Sequence, residues 1–144
     1  MPARPKPATH TNTSFKWPAR VYWEDTDGGG VVYHANYIKF FERARTEWLR
    51  AKGFEQRPLL AQQVVFAVYA MQVKFLKPAR LDDALEVSVS LSACRRASFS
   101  VSQRIVDART GDELCTAEVE IACLDHASFR PMPMPPDLLR EIQR

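Results

Sequence analysis

The chain has 144 residues, 46% of them hydrophobic and 26% charged, the balance of a globular domain; no apolar run approaches the roughly 20 residues of a membrane helix, which excludes stable membrane insertion. A formal net charge of +3, spread over dispersed basic residues, argues against a nucleic-acid partner and suits a small anionic ligand. Cys94, Cys115 and Cys123 form no C-x-x-C pair and lack a zinc-spaced His, so they read as buried free thiols in a reducing, cytoplasmic compartment.

The length suits one domain. Residues 1–14, with Pro and Thr but no hydrophobic periodicity, read as a flexible N-terminal arm, and residues 1–20 lack the continuous apolar core of a secretory signal. The folded domain is expected to span residues 15–144. Phe15, Trp17, Val21 and Trp23 alternate with polar or small residues as in a half-buried strand, and Pro18 places that strand at an edge or a bulge.

After a run of three glycines, Tyr37, Ile38, Phe40, Phe41, Ala44, Trp48 and Leu49 recur at helical spacing. Lys39, Glu42, Arg43, Arg45, Glu47 and Arg50 fill the complementary, solvated positions. Gly53 stops this helix as a left-handed cap, and an irregular or briefly helical link, Phe54 to Gln62, follows. The period then changes to two over Val64 to Phe75, Leu85 to Cys94, Ala97 to Val106 and Glu113 to Leu124. The turns KPARLDD, RR and DARTGDE separate these four strands. Strand, long aromatic helix and four hairpin-linked strands make an α+β fold in which an antiparallel sheet curves around one helix; the tail ends in a helical turn.

The stretch EDTDGGGVVYHAN, from Glu24 to Asn36, carries the chemistry. Glycine is entropically costly to order, so three in a row mark a strained turn or a ligand's close approach. Unpaired N–H groups at a helix start polarise a carbonyl, glycines admit a substrate to them, and a neighbouring carboxylate attacks or activates water. Read alone, the same residues also suit a helix cap and a turn.

The stretch RVYWEDTDGGGVVYHANYIKFFERARTEWLRAKG, with KFLKPARLDDALEVSV later, closely resembles the Tol-Pal-associated acyl-CoA thioesterases of the YbgC type, relatives of 4-hydroxybenzoyl-CoA thioesterase. The resemblance covers about Arg20 to Leu124. It implies a single-domain hotdog fold and hydrolysis of an acyl-CoA to a carboxylic acid and free CoA. It implies no cofactor beyond the CoA of the substrate, and a homodimer or tetramer with sites between subunits. On this resemblance alone rests a link to the cell-envelope Tol-Pal system, on its cytoplasmic side.

Position by position, the family's essential carboxylate falls on Asp27 and its carbonyl-polarising backbone amide on His34. Whether Asp27 is nucleophile or general base stays open. The His34 side chain either assists at the thioester or donates a structural hydrogen bond. Gly30 belongs to the substrate approach, and Tyr22 and Tyr33 either line the same pocket or pack in the core. Arg95 and Arg96 fall where the related enzyme holds CoA phosphates, and two adjacent guanidinium groups suit that task. Lys77 and Arg80 are weaker phosphate candidates, opposed by Asp82 and Asp83. Glu42 and Glu47, on the helix, are the alternative catalytic carboxylates but fit surface pairs, Glu42 with Arg45 or a neighbour of Arg43 and Glu47 with Arg43 or Arg50. The acyl pocket draws on Phe40, Phe41, Val64, Phe66 and Tyr69. Two rival readings are a non-catalytic acyl-CoA sensor or scaffold, and a divalent-metal site formed by Glu24, Asp25, Asp27 and His34.

Overall fold

A computed structural model describes residues 14–144, so residues 1–13 of the expected arm lie outside the described residues. The elements follow the order read from the sequence: β1 (Phe15–Arg20), α1 (His34–Ala51), α2 (Gln56–Ala61), β2 (Val64–Phe75), β3 (Ala84–Cys94), β4 (Ser98–Asp107), β5 (Glu113–Asp125) and α3 (Pro136–Ile142). The strands form one sheet in the order β1-β3-β4-β5-β2, antiparallel at every pairing. This is the hotdog arrangement: a curved sheet with a long helix lying in its hollow.

The helix lies there because its apolar stripe has nowhere else to go. Tyr37, Phe40, Phe41, Ala44, Trp48 and Leu49 are all buried against inward-facing Leu85, Val87, Val89, Phe99, Val101 and Ile105. Burying a side chain of this size contributes about 1.5–3 kcal/mol, so the stripe alone is enough to dock the helix. Phe99 closes the aromatic layer, with its ring 5.9 Å from Trp48 and 5.6 Å from Phe66. At the far end Gly53, at φ 93°, lets the chain turn back, and the Phe54 amide bonds the Leu49 carbonyl at 2.8 Å. The tail then crosses that end: Leu138 and Ile142 of α3 are fully buried, and Lys52 Nζ donates to the Glu141 carbonyl at 2.9 Å.

Three strands depart from strict alternation, and in β5 the extra residue is Leu114, between Glu113 opposite Val106 and Cys115 opposite Ile105. In β2 the register slips between Val68 and Ala70, leaving Tyr69 as an extra residue, so that Phe66 and Val68 before it and Met71 and Val73 after it face the same side. In β3 Ser92 plays that part between Leu91 and Ala93. Pro18 of β1 sits on an edge strand, where its missing N–H is harmless. Trp23 does not extend that strand: it starts a 3-10 turn, Trp23–Asp25, and is 78% exposed.

Arg45 also departs from its expected place. It is 8% exposed, on the buried side of α1, and pairs with Gln103 of β4 rather than with Glu42. Arg45 Nη1 donates to Gln103 Oε1 at 2.9 Å, and Gln103 Nε2 donates to the Phe41 carbonyl at 3.0 Å. Gln103 takes an inward position in a strand where its neighbours are Val101 and Ile105, so the pair is a polar strut inside the core. Burial holds the guanidinium below its ordinary pKa. Glu47 pairs with Arg50, one of its two expected partners. Cys115 and Cys123 are buried, with thiols pushed up by burial to about 12 and about 11; Cys94 is half-buried, and all three are free.

Replacing Gln103 strips a buried charged group of its hydrogen bond, a loss of about 1.5–3 kcal/mol. Gln103→Leu should lower the urea midpoint accordingly. Adding Arg45→Met should recover much of that loss, because an all-apolar pair leaves no unsatisfied charge.

Candidate active site

The loop from Asp25 to Tyr33 is closed on itself by backbone hydrogen bonds. The Asp27 N–H donates to the Val31 carbonyl at 2.8 Å, the Gly30 N–H to the Asp27 carbonyl at 3.2 Å, and Thr26 and Val32 bridge across the base. A second set of bonds ties the loop to the fold: the Val32 N–H donates to Ala79 at 2.8 Å, and Val31 bridges to Arg80. Tyr37 completes this anchorage from α1, its hydroxyl accepting the Ala79 N–H at 2.9 Å. Burial raises the Tyr37 pKa above its ordinary value, a shift the Ala79 bond partly offsets.

Asp25 and Asp27 have different work. Asp25 is buried; its Oδ2 accepts the Tyr22 N–H at 2.8 Å, and its carbonyl accepts both the Tyr33 N–H at 3.0 Å and Asn36 Nδ2 at 2.9 Å. It is a clamp between loop and helix. Asp27 is exposed, and its Oδ1 accepts the Gly29 N–H at 2.7 Å, which orients the carboxylate and leaves Oδ2 without a protein partner among the described residues.

The three glycines answer to different demands. Gly30 sits at φ 79°, a conformation that side chains with a Cβ resist. A Cβ on Gly29 would stand 3.2 Å from Asp27 Oδ1, crowding the carboxylate. A Cβ on Gly28 would meet nothing and would project into the space beside the loop.

Helix α1 begins directly after this loop. Its N-cap, Tyr33, supplies no side-chain cap, and among the described residues the His34 and Ala35 N–H groups have no acceptor. An unpaired N–H pair at the positive end of an 18-residue helix, next to a loop bearing a carboxylate with one free oxygen, suits the stabilisation of a developing oxyanion. The His34 ring is exposed; it lies tilted against Tyr33 with centroids 4.5 Å apart and meets Phe75 edge-on at 6.3 Å.

Asp27, Gly30, Tyr33 and His34 therefore gather at one end of α1, while Tyr22 and Tyr33, 61% and 47% exposed, flank the loop and leave the core. Arg95 and Arg96 stand elsewhere. They occupy the exposed β3–β4 turn, an 11-residue strand away from the β1 end that leads into the loop, or about 30 Å within one chain. Arg80 is nearer through its bridge to Val31, whereas Lys77 pairs with Asp112 at 3.5 Å. Of the acyl-pocket candidates, Phe40, Phe41 and Val64 are core, Tyr69 is the exposed bulge, and Phe66 lines a cleft. Glu24, Asp25, Asp27 and His34 form no cluster able to hold a metal ion, and none of three or more such residues occurs among the described residues. The Asp25–Asn36 clamp was hidden in the sequence, since Asn36 reads as a helix-start residue whereas its side chain reaches back to a carbonyl.

Residues 21–142 match the model of the thioesterase-like superfamily. The acyl-CoA thioester hydrolase YbgC of Escherichia coli O6:H1 is 46% identical over 132 residues, covering 92% of this chain and 98% of that protein. The chain belongs to this thioesterase family. The acyl-CoA thioesterase YbgC of Haemophilus influenzae is 42% identical, over 88% of this chain and 93% of that protein. The crystal structure of a 1,4-dihydroxy-2-naphthoyl-CoA thioesterase from Synechocystis superposes with a TM-score of 0.85 over 91% of this chain and 96% of that one. At 22% identity it speaks for the fold alone. This thioesterase is thus a thioester hydrolase, and among the described residues no helix is long and apolar enough to cross a membrane.

The loop geometry yields a contrast between adjacent positions. Gly30→Ala forces a Cβ into the left-handed region and should cost about 1–2 kcal/mol in thermal denaturation. Gly28→Ala, facing open space, should stay within about 0.5 kcal/mol of the parent.

Proposed function

We propose that this thioesterase hydrolyses acyl-CoA to a carboxylic acid and free CoA at the α1 N-terminus, with Asp27 as nucleophile or general base. The observation that carries the reading is the Asp27 carboxylate, held through one oxygen by Gly29 and free at the other, in a loop that leads into uncapped N–H groups at His34 and Ala35. The relatives named as acyl-CoA thioesterases support the substrate class.

In this reading the thioester carbonyl oxygen sits on the His34 N–H, which stabilises the negative charge that develops on it during attack. Asp27 either adds to the carbonyl carbon, giving an anhydride that water opens, or removes a proton from the attacking water. Either route adds one water across the C–S bond: the hydroxyl goes to the acyl carbon and the proton to the thiolate. In this reading Tyr22, Tyr33 and Gly30 line the approach, and the His34 imidazole either contacts the thioester or keeps a structural role. CoA enters as part of the substrate, and the reaction as written uses no other cofactor.

Arg95 and Arg96, too far from Asp27 in one chain, are proposed to meet CoA phosphates of a site completed by another subunit. Edge strand β2 supports self-association, because Val68, Tyr69 and Phe75 are 46%, 55% and 53% exposed on a strand paired on one side only. We place the enzyme in the cytoplasm, where its three free thiols stay reduced; its Tol-Pal link rests on the family resemblance.

Thiol release from short-chain, long-chain and aromatic acyl-CoAs should fall by about 100-fold or more in a folded Asp27→Asn variant. Equal rates would move the catalytic role to Glu42 or Glu47, and tight acyl-CoA binding without release would make the protein a sensor. Sedimentation equilibrium should return a dimer or tetramer; an active monomer would refute the shared site.

A further inference from the structure

The outer face of the sheet, turned away from α1, carries small side chains where β3 and β4 run side by side. Ser90 lies opposite Ser102, and Ala93 opposite Ser100. Two hollows form there. One, of about 340 Å³, lies among Ser14, Lys16, Ser88, Ser90, Ser102 and Arg104; the other, of about 450 Å³, lies among Gln72, Ala93, Ser100, Glu118 and Glu120. They meet where Ser102 Oγ stands 2.7 and 2.9 Å from the two Glu118 carboxylate oxygens.

The first hollow is electrically balanced, since Lys16 pairs with Glu86 at 3.7 Å and Arg104 with Glu113 at 3.5 Å. The second is not. Glu118 and Glu120, two residues apart on β5, share the outer face, and neither has an ion-pair partner among the described residues. Like charges so close repel each other, so this face favours a cation brought to it from elsewhere. Ser14 opens onto the first hollow, and the residues before it, MPARPKPATHTNT, hold Arg4 and Lys6 and no acidic side chain.

We propose that this outer face is the docking surface for residues 1–13 of the same chain, which cross the serines and set Lys6 and Arg4 against Glu118 and Glu120. Phe15 lies opposite Val89, so Ser14 continues that register onto Ser90, and Ser102 and Glu118 follow on the next two strands. Three strand spacings put Glu118 about 14 Å from Ser14. Lys6 precedes Ser14 by eight residues, a reach of about 25 Å in polyproline II, which covers the span with length left to turn. Pro2, Pro5 and Pro7 suit a segment laid on an already paired sheet, because they bring no N–H to satisfy and little backbone freedom to lose. Surface ion pairs are weak between separate molecules, but the tether at Ser14 makes these intramolecular. The docked segment bars a second copy from the outer face. It lies across the sheet from α1, so the proposal stands apart from the thioesterase reading.

Zero-length carbodiimide coupling joins a lysine to a carboxylate it touches, and chymotryptic cleavage after Phe15 separates Lys6 from Lys16. Applied to the intact protein, mixed equally from light and heavy-nitrogen chains, it should give Lys6–Glu118 or Lys6–Glu120 products of a single label. The Lys16–Glu86 product, from a pair 3.7 Å apart, serves as the internal standard. Ser102→Arg, which fills the junction of the hollows and neutralises Glu118, should lower the Lys6 yield about fivefold while the standard holds. Arg4→Glu, outside the folded strands, should lower it too, so a misfolded Ser102 variant does not decide the matter. Absence of Lys6 products beside a normal standard, a yield unchanged in both variants, or coupling of Lys6 mainly to other carboxylates would overturn the proposal. Mixed-label Lys6 products would give the face to a neighbouring chain's segment, and mixed-label Lys16–Glu118 products would give it to a stacked second sheet; either outcome overturns it as well.

Discussion

The Asp25 carbonyl accepts from the Tyr33 backbone and from the Asn36 side chain, and the joint between the glycine loop and α1 depends on that pair of bonds. One oxygen atom ties the loop that carries Asp27 to the first turn of the helix that supplies the free N–H groups. The buried Asp25 carboxylate fixes the other side of the loop through Tyr22. Asp27 is therefore free to be exposed, since its position is set by backbone that other residues hold. The division of labour between two carboxylates a residue apart follows from burial: the desolvated one must be satisfied by the protein, whereas the exposed one keeps an oxygen for water or substrate.

The same helix carries a second constraint further along. Its aromatic stripe docks it in the sheet, and the Arg45–Gln103 strut sits within that stripe, where a purely apolar pair would pack at lower cost. A polar strut in a core adds orientation to adhesion: it is satisfied at one register of α1 against β4, which keeps the N-terminus of the helix at the mouth of the loop. The bulges at Tyr69 and Ser92 serve the sheet in a similar way. Each bends its strand around the helix and returns the following residues to the inner face.

Much of this was legible from residue order. The 3.6-residue period named every buried aromatic of α1 within its limits, the period of two located four strands to within a residue or so, and Pro18 marked an edge. Arg45 was misread because a charge on an amphipathic pattern belongs by default to the wet face, and only a partner from β4, 58 residues later, makes its burial tolerable. Trp23 was misread because alternation continues through a residue that the backbone turns out of the sheet. Arg95 and Arg96 were placed correctly on a turn, but sequence spacing does not reveal the strand length that separates them from Asp27.

By itself the sequence determined the α+β class, the long helix, its glycine stop and the carboxylate–glycine stretch before it, because these follow from local periodicity and backbone freedom. The tertiary structure decided what depends on distant partners. It gave Asp25 and Asp27 opposite roles, assigned each glycine of the loop its reason, and turned Arg45 from a surface charge into a buried guanidinium bonded to Gln103. Burial and hydrogen-bond satisfaction are properties of a neighbourhood, and a neighbourhood exists only once strands far apart in the chain have closed around the helix.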